Sequence, residues 1–156
     1  MNNISSINTR NYSQKTNFMC GASTLELLPF YVTTLTIPGI NVVIPEISGR
    51  AGAPVFMAAA NINFNPLSLE VWLDENYQIY KDLIKCIKVD VETGTFENTF
   101  FDFWTVVTND MGVPVMKIEY YNCNIEVISD LSLAVNDDIT EQVFSVDIRF
   151  DYFKIV

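Results

Sequence analysis

The sequence predicts a mainly β fold, an antiparallel β-sandwich or barrel flanked by one α-helix. Three stretches support this prediction. Residues 142–155 alternate apolar and polar side chains, residues 101–121 have the pattern of a hairpin, and residues 69–88 change from the period of a strand to that of a helix. Strands and turns dominate the chain, so the one helix is left to cover a side or an end of the sheet.

The last predicted strand, residues 142–155, has the longest alternation. Its apolar face consists of Phe144, Val146, Ile148, Phe150 and Tyr152, and its polar face consists of Ser145, Asp147, Arg149 and Asp151. This pattern is typical of an antiparallel strand with one buried and one solvated face.

The clearest hairpin pairs two strands at residues 101–107 and 113–121. The turn Asn109-Asp110-Met111-Gly112 separates them. Residues 122–128 continue as a further short strand or as a bend.

A strand over residues 69–73 is expected to run directly into a helix over residues 75–88. Leu69, Val71 and Leu73 alternate with Glu70 and Trp72, whereas the following apolar residues recur at helical spacing. That helical stripe comprises Ile79, Tyr80, Leu83, Ile84 and Ile87. The carboxylate of Asp74 can accept hydrogen bonds from the N–H groups of the first turn, so Asp74 is the predicted helix cap.

The rest of the chain divides into shorter segments. The polar, aperiodic residues 1–17 predict a flexible N-terminal arm, and residues 18–156 predict one domain. Within that domain we expect a strand in residues 18–37, a turn at Pro38-Gly39, strands at 40–44 and 55–64, a loop at 47–54, and a loop or irregular hairpin at 89–99 around Gly94.

Charge and hydropathy exclude several classes of function. The chain has 9 basic and 19 acidic residues, a net charge of -10, which argues against tight non-specific binding of nucleic acid and against an anionic membrane surface. No apolar run is long enough to cross a bilayer, and the N-terminus lacks the apolar core of a secretory signal. We therefore expect no membrane partner.

The sequence offers little for catalysis. It contains no histidine, which removes imidazole bases and imidazole metal ligands. Its three cysteines suit a reducing compartment, and Cys86 fits a buried position on the helix. The carboxylate pairs Asp74-Glu75 and Asp137-Asp138 are explained by helix capping and by a turn. We expect no catalytic residue, no cofactor and no metal site; the aromatic residues between 96 and 104 suggest a core or a subunit interface.

Four motifs, in order, resemble the tail tube proteins of contractile-tailed bacteriophages. FYVTTLTIPGINV resembles the family's first strand and its Pro38-Gly39 turn. NINFNPLSLEVWLDENYQIYKDLIKCI resembles the strand that ends in an acidic element and leads into a helix, here Leu73, Asp74, Glu75 and Asn76 with Tyr77 and Tyr80. MKIEYYNCNIEVISDLSL and VFSVDIRFDYFKIV resemble the later strands, so the likeness covers roughly residues 27–156. The family often has a tryptophan near the end of the helix, where this chain has Cys86 and Ile87.

The resemblance implies a structural protein of the virion tail, assembled in the host cytoplasm. Its subunits would form hexameric rings that stack into a tube, with the tail sheath and baseplate as partners and double-stranded DNA as transient cargo. An acidic wall repels phosphate, and the polar face with Asp147, Arg149 and Asp151 is a candidate channel lining or, equally, outer surface. A baseplate tube initiator, a neck-proximal subunit or a tube of a related injection system has the same fold.

Two other classes of function stay open from the residues alone. An enzyme that uses only carboxylates needs converging Asp and Glu side chains in a cleft. A β-barrel that binds a small apolar ligand needs an interior pocket in a stable monomer. Size in solution separates both of them from a tube subunit.

Overall fold

The computed structural model describes residues 17–48, 54–56, 61–90, 95–135 and 140–156. Most of the predicted arm, most of the loop at 47–54, Gly94 and the pair Asp137-Asp138 lie outside the described residues. Asn17, the last residue of that arm, is described, and its carbonyl accepts a hydrogen bond of 3.0 Å from the N–H of Thr108.

The described residues form thirteen strands and two helices, more than the strands and the one helix that were predicted, and the additional elements are short. The strands are β1 Phe18–Ala22, β2 Val32–Thr36, β3 Ile40–Val43, β4 Glu46–Ser48, β5 Pro54–Phe56, β6 Asn61–Phe64, β7 Leu67–Trp72, β8 Ile87–Asp90, β9 Thr95–Asn98, β10 Phe101–Thr108, β11 Pro114–Ile128, β12 Val143–Arg149 and β13 Tyr152–Ile155. The helices are α1 Leu28–Tyr31 and α2 Gln78–Cys86.

Seven strands make one antiparallel sheet in the order β1-β10-β11-β12-β7-β2, with β13 also paired to β11. Strand β11 is 15 residues long and serves both halves of this sheet. Its first part pairs with β10 and β13, and its last part pairs with β12. The predicted antiparallel sandwich or barrel with a flanking helix is therefore confirmed.

The core lies between the two halves of the sheet and under α2. Alternate residues of β7 and β12 point into it, so that Leu69, Val71, Val146 and Ile148 are almost completely buried. Tyr120 of β11 is the largest fully buried side chain, and its ring centroid lies 5.0 Å from that of Phe150. The alternation that predicted these strands is thus the pattern that forms the core.

The strand-to-helix junction was predicted correctly, but α2 is shorter than expected. It begins at Gln78 because residues 74–77 form a turn that ends with Tyr77 in the left-handed conformation (φ 57°). It ends at Cys86 because Ile87 begins β8, which pairs with β9 as the hairpin expected around Gly94. Ile79 and Leu83 are buried as predicted, whereas Ile84 is 45% exposed and lies outside the buried stripe.

The last strand is not continuous, and this corrects the prediction for residues 142–155. Strand β12 ends at Arg149, and β13 begins only at Tyr152. The facing strand β11 bends at the same level, where Asn122 has φ 53° and its side-chain amide donates a hydrogen bond of 2.9 Å to the Asp151 carboxylate. Inward and outward positions exchange at this bend, so Phe153 is partly buried while Tyr152 is 53% exposed and stacks on Tyr121.

Two further segments differ from prediction. Residues 18–37 contain β1, the short helix α1 and β2 rather than one strand, since Pro29 in the first turn favours the start of a helix. Within residues 55–64, β5 and β6 are separate strands that pair with β4 and β3. The hairpin at 101–121 is confirmed, and its turn is held by Asn109, whose side-chain oxygen accepts from the N–H groups of Met111 and Val113.

Candidate assembly surfaces

The motif residues Pro38 and Gly39 connect β2 to β3 at the edge of the sheet. The Gly39 carbonyl accepts a hydrogen bond of 3.1 Å from the N–H of Asn65. A side chain at position 39 would meet the Asn65 amide at 3.2 Å. The turn therefore fixes where β3 and β6 leave the main sheet.

The motif around Asp74 builds the start of α2. The two carboxylate oxygens accept from the N–H groups of Gln78 at 3.0 Å and Ile79 at 3.1 Å. Burial alone would raise the pKa of Asp74, but these backbone hydrogen bonds outweigh it and lower the pKa. A lowered pKa means that this cap contributes stability above the ordinary carboxyl range and loses it as the pH falls through the folded-state pKa.

The other members of that motif surround the helix start without forming a site. Glu75 and Asn76 are exposed, and the Asn76 carbonyl accepts a hydrogen bond of 3.0 Å from the Lys81 ammonium. The ring of Tyr80 packs edge-on against Phe144 with centroids 5.8 Å apart. These residues position the helix on the core.

The candidate channel residues Asp147, Arg149 and Asp151 each have a separate local partner. Asp147 accepts a hydrogen bond from the Ser68 hydroxyl on β7. Arg149 forms an ion pair with Glu126 at 2.8 Å, and the hydrogen bond to that carboxylate raises the pKa of Arg149. Asp151 lies in the bend and is bonded to Asn122. The three residues lie along one chain segment, but they do not converge on a common point of contact.

Strands β3 and β6 form a two-stranded ribbon outside the main sheet. Opposite residues in an antiparallel pair share a face. The pairing therefore places Ile40, Val42, Ile62 and Phe64 on one apolar face, with Asn41, Asn61, Asn63 and Val43 on the other. The alternation in INV and NINF contains this signal, but the sequence predicted only a strand at 40–44 and one strand over 55–64.

Most of the apolar face of this ribbon is uncovered. Ile40, Val42 and Ile62 are 52%, 48% and 58% exposed. Phe64 packs on the main sheet, with its ring centroid 5.5 Å from that of Phe150 and 5.3 Å from that of Phe153. The ribbon is therefore anchored at its base and presents a bare apolar surface beyond it, which is a feature of interaction sites.

A cleft of about 1320 Å³ lies between β1 and β2, the two strands that end the order of the main sheet. Its lining is mainly apolar and includes Met19, Phe30, Leu35, Ile37 and Trp104. Phe30 is 80% exposed and Met19 is 52% exposed. The cleft could not be predicted from the sequence, because it depends on which strands end the sheet.

The described residues offer no reactive thiol. Cys20, Cys86 and Cys123 are free and buried. Burial raises the pKa of Cys20 to about 11 and that of Cys123 to about 12, and burial followed by the charge of Asp82 raises the pKa of Cys86. The thiols therefore remain protonated near neutral pH and act as small apolar core groups.

Two other features of the described chain bear on function. No group of three or more His, Cys, Asp or Glu side chains within it is placed to hold a metal ion. None of its helices is long and apolar enough to cross a membrane. Of the aromatic residues between 100 and 104, Phe101 and Phe103 are core residues, whereas Phe100 and Trp104 are 60% and 38% exposed.

Sequence comparisons give one result that points away from a tube. A search of the curated proteins finds no match. A family model described as the nicotinate phosphoribosyltransferase (NAPRTase) family matches residues 3–145, and by the extent of that match the chain is assigned to this family. The assignment conflicts with the chemistry of the residues described above. A helix N-terminus is a common phosphate site, but that of α2 is already filled by Asp74, and a net charge of -10 opposes anionic substrates.

The solved structures that match this chain agree on its fold. A chain of an extracellular contractile injection system, the PVC sheath/tube terminator in its extended state, matches with a TM-score of 0.74 and 13% identity, covering 95% of this chain and 99% of that chain. A chain of the anti-feeding prophage tube-terminating cap matches with a TM-score of 0.74 and 14% identity, covering 97% and 95%. A chain of the PVC sheath-tube complex matches with 0.73 and 13%, covering 95% and 93%.

These likenesses extend over nearly the whole of both chains, so they compare complete folds rather than a shared motif. At these identities they establish the fold. The resemblance of residues 27–156 to tail tube proteins is confirmed at that level: this chain has the tail tube fold of contractile injection systems.

Proposed function

We propose that this chain is a structural subunit of a contractile tail or injection system, forming hexameric rings that stack into a tube. The observation that supports this most strongly is the match of the whole fold, over 95% of this chain and 99% of the other, to a chain of a sheath/tube terminator. The bare apolar ribbon and the open cleft agree with it, because an assembled subunit covers surfaces that a monomer exposes.

The proposed mechanism is mechanical and electrostatic, with no chemical step. Double-stranded DNA would pass through the tube as transient cargo, and a charge of -10 on each subunit would keep phosphate from adhering to the wall. In this proposal the polar face with Asp147, Arg149 and Asp151 lines the channel.

The tail sheath and the baseplate are the proposed outer partners. The proposed location is the assembled tail of the virion, built in the host cytoplasm. In the same proposal the arm, residues 1–17, gains further order on assembly, with residues 18–156 as the single domain.

A terminator or cap subunit of the same tube is the second candidate. It is favoured by the two matches with a TM-score of 0.74, to chains of a tube terminator and of a tube-terminating cap. A terminator forms a ring like a tube subunit but stops further stacking. A baseplate initiator and a tube of a related injection system remain within the same proposal, because their subunits share the ring.

Negative-stain microscopy of the purified full chain, together with its mass in solution, tests the proposal. Rings with six-fold symmetry that lengthen into tubes at high protein concentration are the expected result. Six-fold rings that never stack would identify the terminator instead. A monomer at every concentration would overturn both and would favour a barrel that binds a small apolar ligand in the cleft.

A further inference from the structure

We propose that the apolar face of the β3–β6 ribbon of one copy docks into the cleft between β1 and β2 of the next copy. This inference rests on the proposed assembly and names the two surfaces by which the copies join. It assigns one surface to each side of the contact, so the interface is heterologous, the type that builds closed rings or continuing filaments.

The ribbon has the composition of a docking element. One of its faces is apolar, and three of its side chains, Ile40, Val42 and Ile62, are about half exposed. Its other face carries Asn41, Asn61 and Asn63, which suit contact with water. Burial of the exposed part of this apolar face would stabilise the ribbon, and within the described residues its ring contacts with the main sheet are those of Phe64.

The cleft has the features of an acceptor for a strand-like partner. Among the described residues, strands β1 and β2 each pair with one neighbour only, so the outer backbone groups of the two end strands border the cleft. Its volume of about 1320 Å³ exceeds the usual range of small-ligand pockets, roughly 300–1,000 Å³. An extended segment of protein that fills the cleft and meets both edges satisfies these groups, whereas a small apolar molecule leaves them unpaired.

The ribbon that enters the cleft belongs to a second copy. None of the four apolar-face residues of the ribbon lines the cleft of its own subunit. Charge agrees with this choice. Two copies, each with a net charge of -10, repel one another, so their contact is favoured where both surfaces are neutral. The four residues of the ribbon face are uncharged, and of the described residues that line the cleft only Glu26 is charged.

Cross-linking between engineered cysteines tests the contact. Chains that carry Met19→Cys in the cleft are mixed with chains that carry Ile62→Cys on the apolar face, allowed to assemble, and treated with a short bis-maleimide. The three native cysteines are buried and free, so the unmodified protein gives the background. Asn63→Cys is the matched control, because Asn63 is exposed on the opposite face of the same strand. Val42→Cys, next to Ile62 on the apolar face, replaces Ile62→Cys if that variant does not fold.

The expected result is a cross-linked dimer with Ile62→Cys or Val42→Cys that is at least tenfold more abundant than with Asn63→Cys, and that forms only between the two kinds of chain. Rings seen by microscopy without this cross-link, or equal yields from the two faces of the ribbon, would overturn the docking while the tube proposal stands. An unmodified chain that never assembles would overturn both.

Discussion

Gly21 shows how one residue sets a local surface. A Cβ built at this position would lie 2.2 Å from Cζ2 and 2.3 Å from Cε2 of Trp104, so the indole occupies the space that any side chain would need. Trp104 also lines the cleft, which makes Gly21 a determinant of the shape of that surface. The sequence did not indicate this role, since the contact joins residues 83 positions apart on paired strands.

Gly21→Ala is therefore expected to displace the indole and to lower the free energy of unfolding by about 1–3 kcal/mol, the usual cost of overpacking. A denaturant melt measures the loss, and a red shift of tryptophan emission reports the new position of Trp104. Gly39→Ala is the control, because there the nearest atom is the end of a flexible side chain at 3.2 Å. Equal stability and unchanged emission for Gly21→Ala would contradict the contact.

Whether other residue-level features could be predicted depends on how far apart their partners lie in the sequence. The cap at Asp74 was predictable, because its partners Gln78 and Ile79 are four and five residues away. The left-handed backbone of Asn122 was not predictable, because it is matched with Asp151, 29 residues later in the chain. Local chemistry is visible in the sequence, whereas a bend shared by two strands depends on their pairing.

At the level of elements, the apolar stripe predicted for α2 is the face by which this helix packs on the core. Leu83 is completely buried, while Ile84, the next residue, is 45% exposed. Leu83→Asp places a carboxylate in the core and is expected to cost several kcal/mol, enough to prevent folding of a marginally stable domain. Ile84→Asp introduces the same group on the exposed side and is expected to change stability by less than about 1 kcal/mol.

Thermal melts followed by circular dichroism separate the two variants. The expected result is a cooperative transition for Ile84→Asp and none for Leu83→Asp. Similar transitions for both would show that the buried face of α2 has been assigned wrongly. The comparison controls for helix propensity and for added charge, because the same residue enters neighbouring positions of one helix.

The break between β12 and β13 shows why the element boundaries were harder to predict than the elements. The letters VDIRFDY alternate without interruption, so periodicity extends the strand through the bend. The register in fact continues across it, with Arg149 opposite Asn124 and Tyr152 opposite Tyr121, and only the inward face changes. A change of face without a change of register leaves no mark in composition.

At the scale of the whole molecule, fold class was predictable and strand order was not. Alternation in β7, β10 and β12 indicates an antiparallel β protein, but it does not say that β12 lies between β11 and β7 or that β1 and β2 end the sheet. The cleft follows from that order, so it was beyond reach of the sequence. The ribbon lies outside the main sheet, and its alternation was visible in the sequence, whereas the exposure of its apolar face was not.

In the tube proposal, the polar face near the end of the chain is the surface that DNA passes in the channel. Asp147 lies on β12, whereas Asp151 lies in the bend, so the two carboxylates are no longer consecutive positions of one strand face. If the face lines the channel, six-fold repetition turns each carboxylate into a ring of negative charge that acts over about one Debye length, ~8 Å at physiological salt. Because the bend places the two carboxylates on different parts of the chain, the charge of each is reversed in a separate variant.

Asp147→Lys and Asp151→Lys are each expected to leave tubes intact and to slow DNA delivery, with the defect relieved by added salt because screening weakens the attraction between lysine and phosphate. Microscopy checks the tubes, and a DNA-delivery assay of the assembled particle measures the rate. Asp130→Lys at an exposed position outside the strands is the control for charge alone. A defect in one variant only would place that carboxylate in the channel and the other outside it. Normal delivery by both, in tubes of normal appearance, would place this face on the outer surface, where the sheath rather than the cargo meets it.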